Sequence, residues 1–257
     1  MKNTALITGA SSGIGLELSR IHASKGGDLV LVARSTANLE ALKTELENQY
    51  KIQVLIISKD LSQRDAAKEV YDETTRRGIQ IDYLINNAGF GDFGHFVATD
   101  WHKEEQMISL NMTTLTHFTK LYLQDMIKRN SGKIMNVAST ASFQPGPTMA
   151  VYCATKAYVL SFSEAVNNEV SDKGVSVTAL CPGATNTHFK SAAGMDNSKL
   201  FKNKNLPTGQ EVAKYGYAAM MKGKPVAIHG TLNFILANSA RFIPRSWVVK
   251  VARMVIE

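Results

Sequence analysis

The chain opens with a short apolar run, Thr4-Ala-Leu-Ile-Thr8, that passes directly into Gly9-Ala-Ser-Ser-Gly13-Ile-Gly15 and then into a helical pattern over residues 16–23. No other stretch narrows the possible folds as much. A buried strand, a glycine turn and a helix in that order form the context of a phosphate-binding turn. The glycines let the backbone approach a pyrophosphate, and the helix N-terminus offers unpaired N–H groups. The spacing is G-x-x-x-G-x-G, which differs from the usual G-x-G-x-x-G fingerprint. A flexible Gly/Ser turn is the plainer alternative.

Further strand-like runs at 29–33, 54–58, 83–86, 133–138, 175–180 and 226–228 alternate with helical stretches. Such alternation predicts an α/β fold whose parallel sheet has helices on both faces. Functional loops in such a sheet collect at the carboxyl ends of the strands, where Gly9, Asn87, Ser139 and Pro182 all fall. The 257 residues, 44% of them hydrophobic, suffice for one sizeable domain, and no repeat or low-complexity linker divides them. No apolar run approaches the length of a membrane span, and the first residues do not resemble a secretory signal. Cys153 and Cys181 lack zinc or disulfide spacing, so a reducing, cytoplasmic setting is expected. The six histidines, including His95, His102 and His188, show no metal-ligand spacing, and no metal is expected.

Tyr152 and Lys156 lie one helical turn apart, and Ser139 precedes them by thirteen residues. A phenol and an ammonium on one helix face can act on the same small volume. Tyrosine is a poor acid–base group near its ordinary pKa of about 10, and a nearby cation lowers that value. A serine hydroxyl could donate to a carbonyl oxygen as charge builds on it. Taken alone, Tyr-x-x-x-Lys is also what a packed tyrosine and a solvated lysine look like.

In order and spacing, these pieces make the chain resemble the short-chain dehydrogenase/reductase family, with its T-G-x-x-x-G-x-G turn and Y-x-x-x-K motif. The likeness runs through Asn86-Asn-Ala-Gly89, Asn111, Ser139 and Pro182-Gly-Ala-Thr-Asn-Thr187, covering nearly residues 3 to 190. It implies a Rossmann-type, doubly wound, seven-stranded parallel sheet. It also implies a nicotinamide cofactor held by Gly9, Ser11, Ser12, Gly13, Ile14, Gly15, Asp60, Leu61, Asn87, Ala88, Gly89, Pro182, Gly183, Thr185 and Thr187. By the same resemblance Tyr152 is the general acid, Ser139 its hydrogen-bond partner, Lys156 a pKa perturbant and ribose ligand, and Asn111 the holder of a water in the proton relay.

Arg34 follows the second strand, where an acidic residue would bind the ribose hydroxyls of NAD. A guanidinium there can pair with a 2′-phosphate, with Ser35 beside it, so NADP(H) is expected, with NAD(H) the alternative. Asp60 could instead cap the following helix, as could Ser62. Phe143, Met149, Phe189 and Met195 could line an apolar pocket, although such residues are common core fillers.

Charge is uneven along the chain. Residues 1–189 hold 18 Lys/Arg and 19 Asp/Glu, whereas residues 190–257 hold 11 and 3. Lys190, Lys199, Lys202 and Lys204 fall in the segment 188–224, expected as a substrate-covering loop and helix, and could attract an anionic substrate such as an acyl thioester. In the basic extension 229–257, Pro244 separates helices expected at 231–242 and 245–255. Arg241, Arg245, Lys250 and Arg253 interleave there with Phe242, Trp247, Val248, Val251 and Val255. That pattern suits a helix on a membrane surface, but packing on the chain's own sheet or on a neighbouring subunit is the favoured reading. No nucleic-acid motif accompanies the charge.

Together these features predict an NADP(H)-dependent oxidoreductase that reduces a ketone or aldehyde with an apolar body, including a 3-oxoacyl chain, and acts as a homodimer or homotetramer. The tail extension is similar to the ketoacyl and hydroxysteroid reductase-like branch of the family. The alternative is a nicotinamide-binding sensor or scaffold that recruits a partner through its basic tail. An epimerase or dehydratase would need a larger C-terminal substrate domain.

Overall fold

The apolar run at 29–33 is buried at every position, the pattern of a strand covered on both faces. In a computed structural model of the chain, which describes residues 3–187, 189–195, 198 and 205–256, this run belongs to β2 (Asp28–Ala33). It pairs with β1 (Thr4–Thr8) and β3 (Val54–Ser58), and the sheet continues through β4 (Tyr83–Asn86), β5 (Gly132–Val137), β6 (Val175–Cys181) and β7 (Val226–Ile228). The order is β3-β2-β1-β4-β5-β6-β7 and every pairing is parallel. The seven-stranded Rossmann-type α/β sheet expected from the sequence is thus present.

Because strand side chains alternate, Ile7, Leu31 and Ile85 face one way and Leu6, Val30 and Leu84 the other. The first set packs against α1 (Gly13–Ser24), α2 (Thr36–Tyr50) and α8 (Gly209–Met221) through Leu18, Leu39, Leu46 and Met220. The second packs against α3 (Ala66–Arg76) and α5 (Leu115–Lys128) through Val70, Phe118 and Met126. Each of these side chains, fully buried, contributes about 2 kcal/mol. The sequence reverses its winding direction between β1 and β4, so the loops leaving those strands separate and open a crevice at their carboxyl ends.

Two short helices, α4 (Trp101–Ile108) and α7 (Phe189–Ala192), stand at one side of that crevice with the long α6 (Ala150–Glu169). Between α4 and α5 the backbone forms a π-helical stretch, Ser109–Thr114, which contains Asn111. The tail forms α9 (Thr231–Ser239) and α10 (Arg245–Ile256). Ala237 of α9 packs with Leu160 and Phe143, and Ile256 of α10 packs with Met149 and Cys153.

The elements differ from expectation in a few places. Helix α1 starts at Gly13, so the glycine turn runs into the helix itself. Helix α9 stops at Ser239, three residues early, because Arg241 and Phe242 turn back onto Asn238 and Ser239 ahead of Pro244. Neither Asp60 nor Ser62 caps α3, which follows Asp65 in a left-handed conformation at φ 62.

Candidate active site

Thr8 joins the turns at the two central strand ends. Its hydroxyl accepts from the amides of Asn87 at 3.0 Å and Ala88 at 2.9 Å, while Asn87 Nδ2 donates to the Thr8 and Gly9 carbonyls. The close approach needs glycine. Gly9 has φ 64, and a Cβ there would lie 2.8 Å from Asn87 Nδ2; one on Gly15 would collide with the Gly9 carbonyl. Ser12 precedes α1 without a side-chain cap, and the first turn carries no acidic residue. Its amide donors therefore face the crevice with a favourable dipole for an anion. This cradle fits a pyrophosphate.

Next along the crevice, exposed Arg34 lies at the end of β2 and Asp60 just past β3. Burial alone would raise the Asp60 carboxyl, but the amide and hydroxyl of Ser62, Gln63 and the charge of Arg34 hold it below the usual range. Ser35 caps α2 by accepting from the Asn38 amide at 3.4 Å. Lys59, which drew no notice in the sequence, also lines this end and pairs with Glu69.

At the other end α6 presents Tyr152 and Lys156, only 8% and 5% exposed. Lys156 Nζ donates to the Val137 carbonyl at 2.8 Å and lies 5.9 Å from the centre of the Tyr152 ring. Burial pushes the Lys156 ammonium down to about 8. Burial also raises the Tyr152 phenol above its ordinary value, with the Ser139 hydroxyl offsetting part of the rise. Desolvation of the phenolate is the largest influence on this group. The phenol is protonated at neutral pH and, in the protein alone, a weaker acid than a free tyrosine. Ser139 caps a 3₁₀ turn, Thr140–Phe143, accepting from the Ala141 amide at 3.1 Å.

Asn111 is fully buried. Its Nδ2 donates to the Phe90 carbonyl and the Thr155 hydroxyl and its Oδ1 accepts from the Phe90 amide, so it ties the loop after β4 to α6 while Oδ1 keeps one lone pair for the expected water. All the other expected cofactor and catalytic residues line one cleft of about 650 Å³ except Gly15, which shapes the turn from behind. Thr185 and Thr187 lie in its wall, with the Thr185 hydroxyl donating to the Gly183 carbonyl at 2.9 Å.

The sequence profile of the family described as short chain dehydrogenase matches residues 3–198. The chain belongs to that family. It is 32% identical to the 17-beta-hydroxysteroid dehydrogenase type 3 of Mus musculus over 83% of this chain and 68% of that protein. It is 31% identical to the very-long-chain 3-oxoacyl-CoA reductase of Anas platyrhynchos over 69% of this chain, spanning only 58% of that longer protein. A solved short-chain dehydrogenase from Sphingobium yanoikuyae in complex with NADPH superposes with a TM-score of 0.84 at 33% identity, covering 93% of this chain and 94% of that one.

In this short-chain dehydrogenase the wall beyond Tyr152 is apolar. Phe90, Met149, Phe189 and Met195 line it, and the Phe189 ring lies 5.3 Å from that of Tyr152. Phe143 does not join them; it turns towards Leu160 and α9. Burial pushes the Cys153 thiol up to about 11, so it contributes neutral surface. Gln106 and Gln144 supply polar groups, and Val255 and Ile256 of α10 complete the wall. Sequence reasoning missed this use of the tail, since no local pattern says which loop a terminal helix will cover. His188, Lys199, Lys202 and Lys204 lie outside the described residues. Among the described residues, no group of three or more His, Cys, Asp or Glu could hold a metal, and no helix is long and apolar enough to cross a membrane.

Proposed function

We propose that the chain is an NADPH-dependent reductase of ketones or aldehydes with apolar bodies, 3-oxoacyl chains and polycyclic ketones among them. The observation that carries this reading is a buried Tyr152, flanked by Ser139 and Lys156, opening onto an apolar wall. When bound, the dihydronicotinamide supplies the hydride. Tyr152 passes its proton to the carbonyl oxygen as negative charge develops there, and the Ser139 hydroxyl donates to the same oxygen. Lys156 can donate to ribose hydroxyls and holds positive charge near the phenolate that Tyr152 leaves. Asn111 acts as a positioning residue. Arg34 supports the phosphorylated cofactor, as does the NADPH bound to the Sphingobium relative. The names of the steroid and 3-oxoacyl relatives support a large apolar substrate.

The test is a side-by-side titration with NADPH and NADH, followed by NADPH oxidation against a panel of ketones graded by apolar bulk. Tyr152→Phe should lose about 10³-fold in turnover with little change in NADPH affinity. Absence of binding by either nucleotide, or full turnover by Tyr152→Phe, would sink the proposal. The second outcome is what a sensor or scaffold would need.

A further inference from the structure

The tail shows more apolar surface to solvent than to the protein. In α10, Trp247, Val251, Met254 and Val255 recur at i, i+4, i+7 and i+8 and form one exposed stripe, with Trp247 66% exposed. The buried contacts of the same helix, Ala252 and Ile256, lie on a different arc. Helix α9 repeats the arrangement, with Leu232, Ile235 and Leu236 exposed at i, i+3 and i+4 around buried Ala237. Phe242, at the bend between the helices, is 88% exposed. Scattered exposed apolar residues need no explanation, but two successive helices that each bear an exposed apolar stripe, with a bare phenylalanine between them, do.

Charge decides what covers them. Residues 229–257 contain four cations, Arg241, Arg245, Lys250 and Arg253, against a single acid, Glu257. A second copy of the chain meeting this face about a two-fold axis would bring Arg241, Arg245 and Lys250 towards their own copies, with one acid in the segment to offset its four cations. A surface rich in phosphate answers them, while its acyl boundary accepts the aromatic and aliphatic side chains.

We propose that the α9–α10 tail docks the protein on the surface of an anionic lipid bilayer, with Phe242 and Trp247 entering the acyl boundary and Arg241 and Arg245 meeting lipid phosphates. Val255 lies on the exposed stripe and also lines the substrate cleft, so the docked face adjoins the apolar wall. This inference does not depend on the proposed reaction, because its readout is lipid binding.

The chain has two tryptophans. Full-length Trp101→Phe therefore leaves Trp247 as a single reporter, mixed with vesicles of phosphatidylcholine alone or with phosphatidylglycerol added. The expected result is a blue shift and protection from an aqueous quencher with the anionic vesicles, and weaker binding to the neutral ones. Arg241→Glu/Arg245→Glu should weaken partitioning about tenfold or more, as should Phe242→Ser/Trp247→Ser read by flotation. Unmoved Trp247 emission with anionic vesicles at low ionic strength would overturn the proposal. So would equal binding by the charge-reversed variant, or burial of Trp247 by self-association without lipid. The first measurement needs none of the tail variants, so misfolding of those variants cannot rescue or sink it.

Discussion

Asn111 and Phe90 hold each other in both directions: Asn111 Nδ2 donates to the Phe90 carbonyl at 3.0 Å, and the Phe90 amide donates to Asn111 Oδ1 at 3.3 Å. The pair ties the loop after β4 to the π-helical stretch and so sets the wall beside Tyr152. Removing the amide in Asn111→Ala leaves two part-buried backbone groups of Phe90 without their partner. The cost should be about 2–4 kcal/mol, read as a lower urea midpoint. Turnover and NADPH affinity should both fall, since the loop that Asn111 holds carries Asn87, Ala88 and Gly89 as well as the wall beside Tyr152.

Lys156 gives the fold a pH dependence with a definite sign. Its pKa is about 8 in the folded chain against an ordinary 10.5, because burial disfavours the ammonium. Below about 8 both states carry the proton, and the fold bears the full cost, on the order of 3 kcal/mol. Between about 8 and 10.5 the unfolded chain binds more protons, so stability of the cofactor-free protein rises with pH. Lys156→Met should stabilise the protein at pH 7 and flatten its profile relative to wild type across that window. Denaturant unfolding of both proteins at a series of pH values checks this; parallel profiles would contradict it.

Gly15→Ala should damage the cradle from behind. Its Cβ would press on the Gly9 carbonyl, a backbone atom that cannot swing aside as a flexible side chain would. Stability should drop by about 1–3 kcal/mol, and nucleotide affinity should fall with it. Thermal unfolding with and without NADPH separates the two effects, the expected sign being a smaller cofactor-induced shift than wild type shows.

Arg34→Ala addresses the cofactor choice. Loss of one charge-assisted contact at an exposed site should weaken NADPH about tenfold to thirtyfold and leave NADH nearly untouched. Lys59 lies close along the same cleft end, but its pairing with Glu69 already engages it. Fluorescence titration of both nucleotides with Arg34→Ala and Lys59→Ala reveals which cation reads the phosphate; equal loss for NADPH and NADH in Arg34→Ala would remove it from that role.

The strands were legible because an all-apolar run bounded by Gly, Asn or Asp has few alternatives to a buried parallel strand. The expected boundaries of β2 and β5 differ by one residue from Asp28–Ala33 and Gly132–Val137. The π-helical stretch at Ser109–Thr114 was not legible, since a slipped backbone hydrogen bond leaves no composition behind. Nor was the raised Tyr152 phenol. Motif spacing places Lys156 beside it but does not show that the ammonium is spent on Val137. The tail divided in the same way: Pro244 marked its hinge, while the inward arc of Ile256 and the bare stripe of Trp247 emerge only once α10 has a neighbour on one side.

Val255 and Ile256 stand in the cleft more than two hundred residues after the glycine cradle that opens it. The parts of the molecule that perform hydride chemistry and the part that shapes the far wall are therefore separately editable. Changes confined to the last helix can re-cut the room for a substrate while leaving the cradle, Tyr152 and Lys156 as they are. In a lineage under selection for new substrates, or in a laboratory library, the tail is the stretch where novelty comes at least risk to the chemistry.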